Sequence, residues 1–283
     1  MRPRAGGCRP GDVGYAGLKD RHAVATQWFT VPQSRRSPDE WVGTGSGEYE
    51  VLEAHRHSRK LPRGALAGNR FVIRVRGTAI DETALASRLG AVEERGVPNY
   101  FGPQRFGRGG ANLARIGDPR ALRPPERGFI LSAARSLVFN AVLAERIAEG
   151  SWDRLEAGDL ANLDGRASHF RVDAVDAALA QRCAGLDVHP TGPLWGRGSP
   201  QTAGRVLELE RRVAAGTGEA CALVERAGME QERRSLRLAV RELRWRREPD
   251  AVVLEFRLGR GAYATAVVRE IFALDADYDE SST

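Results

Sequence analysis

Apolar positions along the chain change period twice. In the first third they alternate with polar ones. Residues 14–16 form a short apolar run, 26–31 carry Trp28, Phe29 and Val31 ahead of Pro32, and 48–54 and 69–76 read as two further strands. In "FVIRVR" apolar and basic residues take turns, the pattern of a half-buried strand. At residue 81 the period lengthens. Leu85, Leu89 and Val92 share one helical face, with Asp81 placed to cap the helix and Gly96 to end it. From 97 to 237 helical patterns dominate: 132–148 with Ser132 as its cap, 173–184 with Asp173 as its cap and Gly185 as its stop, 202–215, and 219–227. Strands return at 236–245 and 251–258. "RREPD" lies between them as a hairpin turn, and Val252, Leu254, Phe256 and Leu258 alternate cleanly. A last helix is predicted over 264–273.

Sheet, then helices, then sheet predicts an α+β fold. Residues 1–96 and 238–283 make the two parts of a core with a mixed or antiparallel sheet, and 97–237 make a mainly helical domain inserted in it. A length of 283 residues fits one large or two ordinary domains. No apolar run reaches the ~18 residues of a membrane span, and the first residues have no secretory apolar core, so no membrane partner is expected. Cys8, Cys183 and Cys221 are far apart and odd in number, which suits a reducing cytoplasm. With five scattered histidines they form no metal-ligand pattern, so no metal is predicted.

Lysine plus arginine number 43 against 37 acidic residues, a net charge of +6. That balance favours a polyanionic partner without establishing one. Only two of the bases are lysines, Lys19 and Lys60, which draws attention to "GYAGLKDRHAVATQW". There Lys19 adjoins Asp20 just after a Gly-rich turn. An aspartate in such a place is commonly a turn former or cap. The chemical alternative is a carboxylate kept charged by the adjacent ammonium, ready to act as nucleophile or base. Neighbours on a regular strand face opposite ways, so the pair cooperates only on irregular backbone, which Gly17 permits.

Four more segments carry candidate chemistry. "RHSRKLPRGALAGNRF" holds a run of bases that is either a solvated loop or a phosphate-tracking segment leading to Asn69 and Phe71. Those two share one strand face and suit hydrogen bonding to, and stacking on, a base. "VPNYFGPQRFGRGGAN" interleaves aromatics, glycines and arginines without a period, as an RNA-contact loop or a seam between domains would. In "LGRGAYATAVVREI" Arg269 adjoins Glu270, on an ionic surface or turned inward to a carboxylate. The "RSLRLAVRELRWRR" hairpin carries Arg237, Arg241, Arg244, Arg246 and Arg247, as a charged edge or a rim for a nucleic-acid backbone.

Taken in order, "GYAGLKDRHA", "RKLPRGALAGNRF", "VPNYFGPQRFG", "SAARSLVFN" and "GAYATAVVREI" resemble the TruD-type tRNA pseudouridine synthases, over about residues 12–278. The resemblance implies a pseudouridine-synthase core with an inserted TRUD domain. It implies conversion of uridine to pseudouridine in tRNA, expected at position 13, with no cofactor and no metal. Asp20 maps onto the family's catalytic aspartate with Lys19 beside it, and Asn69 and Phe71 onto its "G-N-x-F" motif. Arg269 is the candidate ion-pair partner of Asp20 by analogy with such cores. A monomer is expected. Three departures stand out. Only thirteen residues precede Gly14, where the family has a longer segment; Ala25 and Thr26 shift the expected hydroxyl; Gly259 replaces a proline. The first of these raises the alternative of a truncated relative that binds tRNA without turnover. A carboxylate-dependent hydrolase fits poorly, for want of a second placed carboxylate, a serine elbow or a Cys-His pair.

Overall fold

The computed structural model describes residues 8–17, 19–20, 23–32, 36–77, 81–118, 126–166 and 168–272. They divide into two compact units, Met1–Gly68 and Asn69–Thr283.

The first unit has little regular structure. Strand β1 (Gly14–Tyr15) pairs antiparallel with β2 (Phe29–Thr30), and β3 (Gly45–Ser46) with β4 (Tyr49–Glu50). All three strands expected here, at 14–16, 26–31 and 48–54, are shorter than their patterns. In the second hairpin Glu48 sits in the turn itself, and two more backbone bonds, Gly43 N–H to Val51 O and Val51 N–H to Thr44 O at 2.8 Å each, close it. Val13 and Tyr15 are the buried hydrophobic residues described in this unit, while Trp28, Val24, Val42 and Leu52 stay exposed.

The second unit is built on two larger sheets and one two-stranded pair. β5 (Gly68–Arg76) leads into α1 (Glu82–Arg95), where Asp81 Oδ1 accepts the Ala84 N–H at 2.9 Å, Leu85, Leu89 and Val92 are buried, and Gly96 ends the helix, as the pattern predicts. The chain then runs through β6 (Val97–Pro98), α2 (Arg127–Ala148), β7 (Leu160–Leu163), β8 (His169–Arg171), α3 (Ala177–Ala184), β9 (Val188–Leu194), α4 (Gly204–Gly216), α5 (Gly218–Arg226), β10 (Glu232–Ser235), β11 (Arg237–Leu238), β12 (Arg241–Glu248), β13 (Ala251–Gly259) and α6 (Ala264–Phe272). Residue 273, the expected end of the last helix, lies outside the described residues.

One sheet has the order β12-β13-β5, so it joins strands from early and late in the chain. Its inner face carries Val252, Leu254, Phe256 and Leu258, which pack with Leu85, Leu89 and Val92 of α1 and Val267 and Ile271 of α6. Each such side chain, fully buried, contributes roughly 1.5–3 kcal/mol. Its outer face is a lattice of ion pairs: Arg70 to Glu242 and Glu255, Arg74 to Glu248, Arg257 to Glu242. Glu242 stands at φ 53 where the β12–β13 register shifts, and the Arg257 guanidinium holds its carboxyl below the usual range.

Between these ends lie four helices and a second, four-stranded antiparallel sheet of order β10-β9-β7-β8. That sheet gave no clear pattern. β9 reads "VHPTGPL", and two prolines and a glycine argue against a central strand. It forms because α2 crosses close above it. A Cβ on Gly192 would lie 2.7 Å from Leu236 Cδ2 and 3.1 Å from Phe139 Cε2, so a larger residue would have to displace those side chains. Two caps differ from expectation. α2 begins a turn earlier than Ser132, because Ile130 and Leu131 are already buried; Ser132 instead accepts a hydrogen bond from Arg105. α3 is capped by Asp176, whose Oδ1 accepts the Leu179 N–H at 2.7 Å, rather than by Asp173. By length and composition α2 could cross a membrane, which the sequence did not suggest. Here it is a core helix, with Val138, Phe139, Val142 and Leu143 at most 1% exposed.

Candidate active site

In the first unit the Lys-Asp pair follows a constrained turn. Tyr15 pairs with Phe29, their ring centroids 6.4 Å apart, and Leu61 N–H donates to Thr30 Oγ1 at 2.9 Å. Gly17 has φ +90, a conformation L side chains avoid. The chain leaves it in irregular form, as the pair requires: Lys19 is partly buried and Asp20 exposed. Leu18, Arg21 and His22 of the same motif lie outside the described residues.

The basic segment that follows is partly structural. Lys60 Nζ donates to Gly11 O at 2.7 Å, and the Arg63 guanidinium lies 5.5 Å from the centre of the Tyr15 ring. With Pro10, Val13 and Leu61 these residues line a cleft of about 380 Å³. Arg56 and Arg59 are exposed.

In the second unit Asn69 and Phe71 fall on the same face of β5, as their spacing predicts. Arg70, Val72, Arg74 and Arg76 take the other face and are exposed. Phe71 stays partly exposed while stacking on Phe256, centroids 5.6 Å apart at 29°. Its ring thus packs on the inner face of the sheet while the residue keeps part of its surface open. Arg269 is partly buried on α6. Among the described residues of this unit it pairs with no carboxylate. Its neighbour Glu270 is exposed; burial first, and the charge of Glu270 second, push the Tyr100 phenol up.

The "VPNYFGPQRFG" aromatics fill a seam. Phe101 meets Phe139 edge-on at 5.4 Å and packs with Leu143, Trp152 and Leu236, with Tyr100, Phe106 and Tyr263 at the margin. Phe101 N–H donates to Asn140 Oδ1 at 2.9 Å, and Asn140 Nδ2 donates back to Phe101 O at 3.0 Å. The hairpin arginines also have structural work. Arg237 is buried and donates to the carbonyls of Cys183, Val188 and Asp153 and to His189 Nδ1; Arg241 donates to Asp164 and Leu186 O. Two residues that sequence reasoning passed over, Arg234 and Tyr263, reach the same seam. The signal for Arg234 was slight: two adjacent arginines in the polar strand "ERRS", which alternation sends to opposite faces.

Comparison with known proteins places this arrangement. The family model for tRNA pseudouridine synthase D (TruD) matches residues 4–119 and 119–271. A tRNA pseudouridine synthase D of Methylococcus capsulatus is 46% identical over 278 residues, covering 96% of this chain and 78% of the relative. The enzyme of the same name from Nitrosococcus oceani is 45% identical over 276 residues, covering 95% and 77%. A crystal structure of a Methanosarcina mazei protein assigned as tRNA pseudouridine synthase D superposes with a TM-score of 0.69 at 20% identity, over 95% of this chain and 82% of that one, and so shares its fold.

Proposed function

The chain belongs to the tRNA pseudouridine synthase D family, and on that premise we propose that it converts uridine at position 13 of tRNA to pseudouridine with Asp20 as catalytic carboxylate. That it is a pseudouridine synthase acting on tRNA follows from the family. The nucleotide and the residue roles are our reading. In the same reading Lys19, Asn69, Phe71 and Arg269 bind substrate, the enzyme works as a monomer in the cytoplasm without metal or cofactor, and residues 97–237 form a domain inserted in a discontinuous core. The sheet that unites β5 with β12 and β13 supports that last point.

The reaction is an internal rearrangement. The bond from N1 of uracil to C1′ breaks, the base turns over, and C5 bonds to C1′. C5 loses its proton and N1 gains one, so no atom is added or lost and no co-reactant is consumed. A stacked uridine must first leave the helix. Asp20 then either attacks C1′ or takes the proton from C2′; both routes need an unhindered carboxylate. Its exposure on irregular backbone supplies one, and this is the observation that carries the assignment. The partly exposed Phe71 ring offers the freed base a stacking surface. Stacking leaves rotation in the ring plane open, which fixed hydrogen bonds would hinder.

The test is pseudouridine mapping by carbodiimide-block sequencing of unmodified tRNA transcript, with Asp20→Asn in parallel. Product at position 13 that disappears in the variant, with tRNA affinity kept within a few-fold because phosphate contacts dominate binding, is the expected result. Turnover by Asp20→Asn refutes the assignment.

A further inference from the structure

Two arginines of the second unit lie against one phenylalanine ring, and among the described residues neither pairs with an acid. Arg105 comes from the short 3₁₀ turn Pro103–Phe106, and Arg234 from β10. The Arg234 guanidinium stacks 4.2 Å from the centre of the Phe101 ring and 5.7 Å from that of Phe139; Arg105 lies 5.1 Å from the same Phe101 ring and 6.0 Å from Tyr263. Among the described residues all their hydrogen-bond partners are neutral. Arg105 donates to Ser132 Oγ at 2.9 Å and to the Tyr263 hydroxyl. Arg234 Nη2 donates to Asn99 Oδ1 at 2.6 Å, and both terminal nitrogens reach Gly261 O only at 3.4 Å. Its Nε is buried and has no partner.

Three other largely buried arginines of this unit meet an acid, and Arg237, which meets none among the described residues, fills its guanidinium with the carbonyls of Cys183, Val188 and Asp153 and with His189 Nδ1. Arg146 meets Asp159 at 2.9 Å, Arg233 meets Glu210 at 2.8 Å, and Arg135 meets Glu232 at 3.1 Å. Among the described residues Arg105 and Arg234 pair with no carboxylate, and Arg234 leaves its Nε unfilled as well. Bringing two like charges against one aromatic ring costs free energy that cation–π contact offsets only in part. Burial pulls Arg234 down to about 10; Tyr263 opposes it, and Arg105 adds the smallest pull, downward. The deficit is one of negative charge. A phosphate is the anion whose geometry suits two forked guanidinium groups. Arg234 reaches the exposed residues Gly259, Arg260 and Gly261 at the Gly261 carbonyl, and α6 begins just beyond, at Ala264.

We propose that Arg105 and Arg234 form a clamp for one backbone phosphodiester of the RNA substrate. The clamp joins two sequence landmarks, "NYFGPQRFG" and "GAYATAVVREI", through the middle sheet, so that binding RNA there ties β10, the Phe101 seam and the start of α6 together. The inference rests on tRNA as substrate.

The experiment measures tRNA-transcript affinity against salt concentration for the full chain and for Arg105→Met, Arg234→Met and Arg105→Lys, with melting temperatures and KM for pseudouridine formation alongside. Each Met variant should weaken binding about tenfold and flatten the slope of log K against log salt by about one. KM should rise with the weaker binding. Arg105→Lys should keep the slope, since the charge remains, and lose part of the affinity, since the fork does not. It also serves if a Met variant fails to fold. Unchanged slope and affinity in a folded Met variant overturn the clamp, and so does a lowered melting temperature with no change in slope, which would make the pair a structural brace. Failure of the functional reading is separate: it shows as no pseudouridine from the unaltered chain, whatever the slopes.

Discussion

Arg233 and Arg234 are consecutive residues of β10, and the pleat sends them to opposite faces. On one face Arg233 is 7% exposed and meets Glu210, itself 1% exposed; it also donates to Thr191 Oγ1 and O, while Thr202 Oγ1 fills the other oxygen of Glu210. On the other face Arg234 finds two phenylalanines, an amide, a distant carbonyl and another arginine. The same residue type, one position apart, is saturated on one side and left short on the other. A saturated buried arginine serves the fold. One that lacks a counter-charge and also leaves a nitrogen unfilled, as Arg234 does and Arg237 does not, signals that something beyond the fold completes it.

The comparison is most easily broken by removing each partner in turn. Arg233→Met strands the Glu210 carboxylate in the interior, and breaking such a pair should cost about 3–5 kcal/mol. Urea denaturation reads this directly, and adding Glu210→Leu should recover most of the loss, because replacing both charges with apolar groups leaves nothing stranded. Arg234→Met strands no charge. It gives up a cation–π stack and one good hydrogen bond but relieves like-charge repulsion, so its cost should stay within about 1 kcal/mol. Equal losses for the two variants would mean that Arg234 is as structural as its neighbour.

The difference between the two faces also marks how far the sequence could be read. α1 was legible to the residue, since Asp81, Leu85, Leu89, Val92 and Gly96 all speak through local spacing. So was the shared face of Asn69 and Phe71, which needs only the strand period. β9 was not, because its prolines obey a constraint set by α2 passing over Gly192. Nor was the Arg105–Arg234 pair. Nothing within "ERRS" says which arginine will meet Glu210, 23 residues away in the sequence, and which will meet Phe101. Asp20 was found through a motif, not through periodicity. Long-range convergence is what a one-dimensional pattern hides.

A smaller effect sharpens the saturated side. Arg237 Nε donates to His189 Nδ1 at 3.1 Å, which puts the ring hydrogen on Nε2, where it meets Asp164 Oδ1 at 3.2 Å; Arg241 takes the other Asp164 oxygen at 2.9 Å. The His189 bond first, then Arg241, hold the Asp164 carboxyl below its ordinary value against the opposing effect of burial. A carboxyl whose folded value is depressed stabilises the fold above its unfolded value, and that contribution is lost as pH falls through the folded one. The urea midpoint of the unaltered chain should therefore drop further between neutral pH and about pH 3 than that of Asp164→Asn. Parallel curves would show that Asp164 is not linked to folding.

The smallest effect is expected where arginines are paired but wet. On the outer face of the β12-β13-β5 sheet Arg74 meets Glu248 at 2.8 Å with its side chain 48% exposed, and Glu248 has Arg246 as a second partner at 3.1 Å. Water already serves both charges, and Arg246 remains after Arg74 is removed. Arg74→Ala should therefore cost less than about 1 kcal/mol and still less in high salt. Its short distance is no guide to its worth: Arg74–Glu248 and Arg233–Glu210 are both 2.8 Å long. If Arg74→Ala proved as costly as Arg233→Met, distance rather than burial would set the value of an ion pair in this protein, and the contrast drawn on β10 would lose its basis.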